Sequence, residues 1–104
     1  MAFLIRQVRT YKDGDFSLLR AQLLVGGRKH QIRRHLDSVA HQVVGDPKYG
    51  KSRINRWLAD EYGLARTFLH ATRLQMRHPS SGEPLDIEDP LPAELTSFLS
   101  RFPP

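Results

Sequence analysis

The chain contains no cysteine among its 104 residues, and only two methionines and one tryptophan. Without a thiol there can be no disulfide and no thiolate metal site, which excludes disulfide-stapled secreted scaffolds and zinc fingers and suits a cytoplasmic protein. Long apolar runs are also missing. None approaches the roughly 20 residues that a bilayer-spanning helix needs. Met1-Ala2-Phe3-Leu4-Ile5 is cut off by Arg6 and is too short for a signal-peptide core. There is no internal repeat, low-complexity segment, Gly-rich phosphate loop, Gly-x-Ser-x-Gly elbow or obvious pair of carboxylates. Five histidines invite a metal reading. However, His30 and His35 are five apart and His35 and His41 six, neither of which is the i, i+4 spacing of a helical zinc pair. Acidic residues are scarce relative to basic ones, 11 against 16, giving a formal net charge of +5. That balance favours an anionic partner, of which nucleic acid phosphate is the commonest, although a basic protein without a polyanion partner has the same composition.

At this length the chain is one domain at most, and it can bury only about 60–65% of its unfolded surface. Phe16 to Val25 reads as a strand, with Leu19, Ala21, Leu23 and Val25 alternating with Arg20, Gln22 and Leu24. Asp13-Gly14-Asp15 marks a turn before it, and Gly26-Gly27 closes it. A helix is expected over Lys29 to Ala40, because Ile32, Leu36, Val39 and Val43 form one apolar stripe. Ser52 is placed to cap a second helix running to Tyr62, with Ile54, Trp57 and Leu58 inward and Gly63 as its stop. Thr67 to Arg77 and Leu85 to Ile87 read as a hairpin across Pro79-Ser80-Ser81-Gly82. Pro92 opens a last helix whose apolar face is Leu91, Leu95, Phe98, Leu99 and Phe102. Strands and helices without regular βαβ alternation give an α+β class.

The chemistry concentrates between residues 27 and 50. Arg28, Lys29, His30, Arg33, Arg34 and His35 place six potentially cationic groups in eight positions, at a helix start whose backbone N–H groups also favour an anion. This is a phosphate-binding surface, or else a solvated charged face. Arg33 lies beside Ile32 on the helix wheel and can reach into a cleft, while Arg34 points to solvent. Asp37 is expected to pair with Arg33 or Arg34. In Gly45-Asp46-Pro47-Lys48-Tyr49-Gly50 the Asp sits in a tight glycine-bounded loop, where it is expected to bond backbone N–H groups in a structural role. Lys48 is a further cationic candidate for such a surface, and Tyr49 either joins it or simply packs.

Gly27-Arg28-Lys29-His30-Gln31-Ile32-Arg33-Arg34-His35-Leu36, followed by Val44-Gly45-Asp46-Pro47-Lys48-Tyr49-Gly50, resembles two blocks of the RluA-like RNA pseudouridine synthases, and within them the transfer RNA pseudouridine synthase C subgroup. Arg53-Ile54-Asn55-Arg56, Tyr62-Gly63-Leu64, Leu69-His70-Ala71 and His78-Pro79-Ser80-Ser81-Gly82-Glu83-Pro84 extend the likeness from Phe16 to Phe98. The resemblance implies uridine-to-pseudouridine isomerisation in RNA, with no cofactor or metal. It also implies the C-terminal half of a catalytic domain, a mixed, mainly antiparallel sheet with flanking helices. Arg33 aligns with the family's active-site arginine, the partner of a nucleophilic Asp. Arg28, Lys29, His30, Gln31, Arg34, Lys48, Tyr49, Arg53 and Arg56 become candidate RNA contacts, with His30 and Gln31 shaping the pocket floor.

The family's His-Arg-Leu-Asp block, which carries the nucleophile, is absent here. Arg34-His35-Leu36-Asp37 holds the same letters in another order, inside a helix, where the family requires no Asp. The expectation is therefore a truncated or split chain, with residues 1–15 as lead-in and 16–104 as a partial catalytic domain. Such a chain would be inactive alone, marginally stable, and dependent on a separate chain carrying the upstream half. Two other classes share the same residues: a non-catalytic RNA-binding module, and a DNA-binding helix-turn-helix. The long loop between the two helices disfavours the helix-turn-helix.

Overall fold

The computed structural model describes residues 3–23 and 30–104. Its first element falls in the fifteen residues read only as lead-in. Strand β1 (Phe3–Tyr11) pairs antiparallel with β2 (Phe16–Leu23), with a bulge between Gln7 and Arg9. Lys12, Asp13 and Gly14 all take positive φ at the connection, and the N–H of Gly14 bonds the carbonyl of Tyr11 at 3.1 Å. The turn expected at Asp13-Gly14-Asp15 is therefore present. The expected end of the strand, Leu24 and Val25, and the closing Gly26-Gly27 lie outside the described residues.

Helix α1 (Gln31–Ser38) is shorter than the Lys29 to Ala40 expected. His30 at its N-cap has φ 55°, and Ala40 has φ 61°, a left-handed conformation that no helix continues through. Val39 is consequently 49% exposed and does not extend the apolar stripe of Ile32 and Leu36. Helix α2 (Ser52–Tyr62) has the expected bounds, but Lys51 occupies its N-cap without a side-chain bond, so Ser52 is not the cap. Gly63, at φ 74°, ends it by donating its N–H to the carbonyl of Ala59.

Strand β3 (Arg73–Arg77) pairs antiparallel with β4 (Pro84–Glu88), and α3 (Ala93–Arg101) follows with Pro92 at its N-cap. Residues 67–72 are not strand as expected. Thr67 and Phe68 turn back instead to bond the carbonyls of Gly45 and Val44. The described residues thus form an α+β arrangement of three helices and two antiparallel hairpins.

The core gathers Tyr11, Leu58, Leu64, Leu95, Phe98 and Phe102, with Phe16, Ile54, Trp57 and Tyr62 packed against it. Leu58 and Leu95 are fully buried, each worth about 1.5–3 kcal/mol of apolar transfer. Phe102 is the hub of the aromatic packing, its ring centroid 5.0 Å from those of both Phe16 and Tyr62 and 5.1 Å from Phe98. The inward faces expected for α2 and α3 are the ones that pack. The β3–β4 hairpin has no such cover. Leu74 faces Ile87 and Met76 faces Leu85 across its ladder, yet Leu74, Met76 and Ile87 are 51%, 43% and 52% exposed. The radius of gyration, 15.3 Å, exceeds the roughly 13 Å of a compact domain this size, and the extents of 48 × 29 × 22 Å show an elongated body.

Candidate active site

Arg33, in the first turn of α1, meets the loop carrying Asp46. Its Nε donates to Oδ2 of Asp46 at 2.6 Å and its Nη2 donates to Oδ1 at 2.7 Å, a two-point fork on the carboxylate. The Asp46 side chain is fully buried and that of Arg33 is 17% exposed. Oδ1 also accepts the backbone N–H groups of Lys48 (2.9 Å) and Tyr49 (3.2 Å). The Arg33 bonds hold the Asp46 carboxyl far below the usual carboxylate range. Burial opposes that shift, and the two backbone N–H groups reinforce it. The same bond raises the guanidinium of Arg33. Asp46 thus bonds backbone N–H groups, as its loop position suggests, and it also takes Arg33, one of the two arginines that the sequence offers to Asp37. The Asp37 carboxylate instead accepts from the Gln42 side chain at 3.3 Å.

The loop is clamped by Asn55 of α2. Its Oδ1 accepts the N–H of Gly45 at 2.8 Å and its Nδ2 donates to the carbonyl of Asp46 at 2.9 Å. That carbonyl also accepts the N–H of Gly50 at 3.0 Å. Gly45 has φ 78° and sits so close to the next layer that a Cβ there would fall 2.1 Å from the carbonyl oxygen of Arg66. Asn55 was assigned no role from sequence, although Arg53-Ile54-Asn55-Arg56 is one of the recognised blocks. Its position one helical turn into α2, facing a glycine-bounded loop, was the available signal. A shallow hollow of about 400 Å³ lies on the α2 side of the loop, lined by Gly45, Pro47, Asn55, Arg56, Leu64 and Arg66. It does not include Arg33.

Tyr49 ties the loop to the start of α1. Its ring centroid lies 5.3 Å from the Arg33 guanidinium carbon and 5.4 Å from the Lys48 ammonium, and its hydroxyl lies 3.4 Å from Nδ1 of His30. The structure thus brings His30, Arg33, Asp46, Lys48 and Tyr49 together. Arg34, Lys48, Arg53 and Arg56 are solvent-exposed, His30 and Tyr49 are half-buried, and Gln31 is buried. Arg28 and Lys29 lie outside the described residues. Among those described, no group of three or more His, Asp or Glu side chains is placed to hold a metal ion. Nor is any helix among them long and apolar enough to cross a membrane.

No family model matches the chain. Individual relatives do. A tRNA pseudouridine synthase C of Salmonella typhi is 43% identical over 76 residues, 73% of this chain and 29% of that protein. An uncharacterized RNA pseudouridine synthase of Chloroflexus aurantiacus is 46% identical over 89 residues, 86% of this chain and 26% of the relative. A ribosomal large subunit pseudouridine synthase C of Vibrio cholerae is 40% identical over 78 residues, 75% of this chain and 24% of the relative. The chain is homologous to RNA pseudouridine synthases. It spans about a quarter to 30% of the length of these relatives. The pseudouridine synthase likeness therefore covers 73–86% of this chain and a minor part of each longer one.

Proposed function

We propose that this chain carries the arginine side of an RNA uridine-to-pseudouridine isomerase, acting on transfer RNA, with the nucleophilic Asp supplied by residues outside these 104. The observation that carries the reading is the held guanidinium of Arg33, in the block shared with pseudouridine synthases. Asp46 takes Nε and one N–H of Nη2, so both N–H groups of Nη1 remain for a second acceptor. A carboxylate there would be kept ionised and fixed in direction, as a nucleophile attacking a nucleoside needs. The RNA would be held through its phosphates by Arg34, Lys48, Arg53 and Arg56 together with Arg28 and Lys29, and the uridine flipped from its stack. No cofactor enters this reaction.

The test is tritium release or mass mapping of pseudouridine in unmodified transfer RNA. The chain alone should give none. Mixed with a chain bearing a His-Arg-Leu-Asp block, it should give product that disappears in Arg33→Ala. Turnover by the chain alone would show that the nucleophile lies within it. One observation favours a second reading, a non-catalytic RNA-binding module: Arg33 already has a resident carboxylate in Asp46. Under that reading no complementary chain restores activity, while RNA affinity still falls with salt, log K dropping by about 0.7 per phosphate contact.

A further inference from the structure

Asp46 is the fixed member of its ion pair. Its Oδ1 is oriented by the N–H groups of Lys48 and Tyr49, and its own carbonyl is taken by Gly50 and Asn55. The entrance of the loop is pinned by Asn55 on Gly45, and Gly45 is pressed against the backbone of Arg66. Arg33, by contrast, reaches the loop through a long rotatable side chain. The direction of restraint therefore runs from loop to arginine.

We propose that Asp46 is a positioning residue for Arg33: it grips the guanidinium by its Nε edge and so presents the Nη1 side to a carboxylate. Tyr49 assists by lying against the guanidinium, its hydroxyl within 3.4 Å of the His30 ring. The arrangement makes Arg33 a bridge between a resident carboxylate and an incoming one. This rests on the reading of Arg33 given under Proposed function, but its test needs neither RNA nor turnover.

Asp46→Asn separates the two roles of the residue. The amide oxygen, in the place of Oδ1, can still accept from Lys48 and Tyr49, but the nitrogen that replaces Oδ2 is a donor and cannot accept the Nε–H of Arg33. In the full chain labelled with 15N, the Arg33 Nε–H signal should exchange slowly with water. In D46N that exchange should rise at least tenfold, while the Lys48 and Tyr49 amides keep the chemical shifts of their hydrogen-bonded state. Arg33→Lys should leave those two amide shifts in place as well, since the loop is built without the arginine. An unchanged Arg33 signal in D46N would overturn the proposal. So would displaced loop-amide signals in either variant, because the loop would then depend on the arginine rather than hold it.

Sodium acetate is the carboxylate probe. Added to the wild-type chain, it should shift the Nη resonances of Arg33 and leave Nε–H in place. Release of Nε–H by acetate would mean that the incoming carboxylate displaces Asp46, which also overturns the proposal. If acetate has no effect while D46N alone frees Arg33, positioning by Asp46 stands, and it is the carboxylate-binding role of Arg33 that fails.

Discussion

The backbone N–H of Gly45 lies 2.8 Å from Oδ1 of Asn55, ten residues further along the chain. Through that bond, and through its Nδ2 on the Asp46 carbonyl, one side chain of α2 sets the path of the loop that carries the site. Asn55→Ala leaves the Gly45 N–H without its partner, at about 1–3 kcal/mol if water cannot reach it, while the Asp46 carbonyl keeps the N–H of Gly50. Urea unfolding should show a loss in that range. Asn55→Asp keeps the bond to Gly45 but faces the Asp46 carbonyl with a second acceptor, so it should rescue only part of the loss. Equal midpoints for N55A and wild type would mean that the loop holds itself.

Gly45 and Gly82 share a left-handed φ, 78° and 74°, but differ in what surrounds them. A Cβ at Gly82 meets nothing within 4 Å, so Gly82→Ala should cost only the conformational penalty, about 1–2 kcal/mol. A Cβ at Gly45 would overlap the Arg66 carbonyl, so Gly45→Ala has to move backbone and should cost several times as much or prevent folding. Thermal melts of the two variants side by side decide this. Similar melting temperatures would show that residue 66 yields without cost.

What could be read in the sequence was what depends on local pattern. The α2 bounds follow from Ile54 and Leu58 at helical spacing with Gly63 behind them, and the face of α3 from Leu95, Phe98 and Phe102. β1 escaped because its alternation is broken. Leu4 and Ile5 are neighbours and so point to opposite faces, and the bulge between Gln7 and Arg9 breaks the alternation again at Val8. Segment 67–72 looked like strand by composition, but its bonds run to Val44 and Gly45, a tertiary demand that no local period carries. The Arg33–Asp46 pair was out of reach for the same reason. Asp37 stands at the i, i+4 position from Arg33, within reach on the helix surface, and local spacing points there. The loop carboxylate prevails because its direction is already set by two backbone N–H groups.

The β3–β4 hairpin presents Leu74, Met76 and Ile87 to solvent on one face, and none of them packs against the core. A lone two-stranded hairpin is marginal in water, and an uncovered apolar ladder with open edges favours self-association. Met76→Lys with Ile87→Thr should therefore raise the concentration at which the chain stays monodisperse, as read by light scattering. The melting temperature of the core should move by less than the few degrees that about 0.5 kcal/mol produces. A large drop in melting temperature would show instead that this face is a packed part of the fold.

Stability should fall in acid, and Asp46 should be a principal cause. Its carboxyl titrates well below the ordinary Asp value of about 3.9 in the folded chain, and returns to that value when the chain unfolds. As pH drops, the unfolded state takes up the proton first, and the balance shifts toward it. The contribution is therefore complete above about pH 5, declines as the unfolded carboxyl protonates, and is lost as pH falls through the folded value. Asp46→Asn removes the charge at every pH. Breaking a buried pair costs about 3–5 kcal/mol, and the partly exposed Arg33 can turn to water, so about 3 kcal/mol is expected at pH 7. Urea midpoints at pH 7, 5, 4 and 3 should show the gap between wild type and D46N narrowing toward the acid end. Asp86 is also lowered by its arginine, Arg73, but both side chains are about half exposed and solvent screens the pair. Asp86→Asn should thus follow the wild-type profile. A gap between D46N and wild type that stays constant from pH 7 to pH 3 would place the cost in the geometry of the amide rather than in the lost charge.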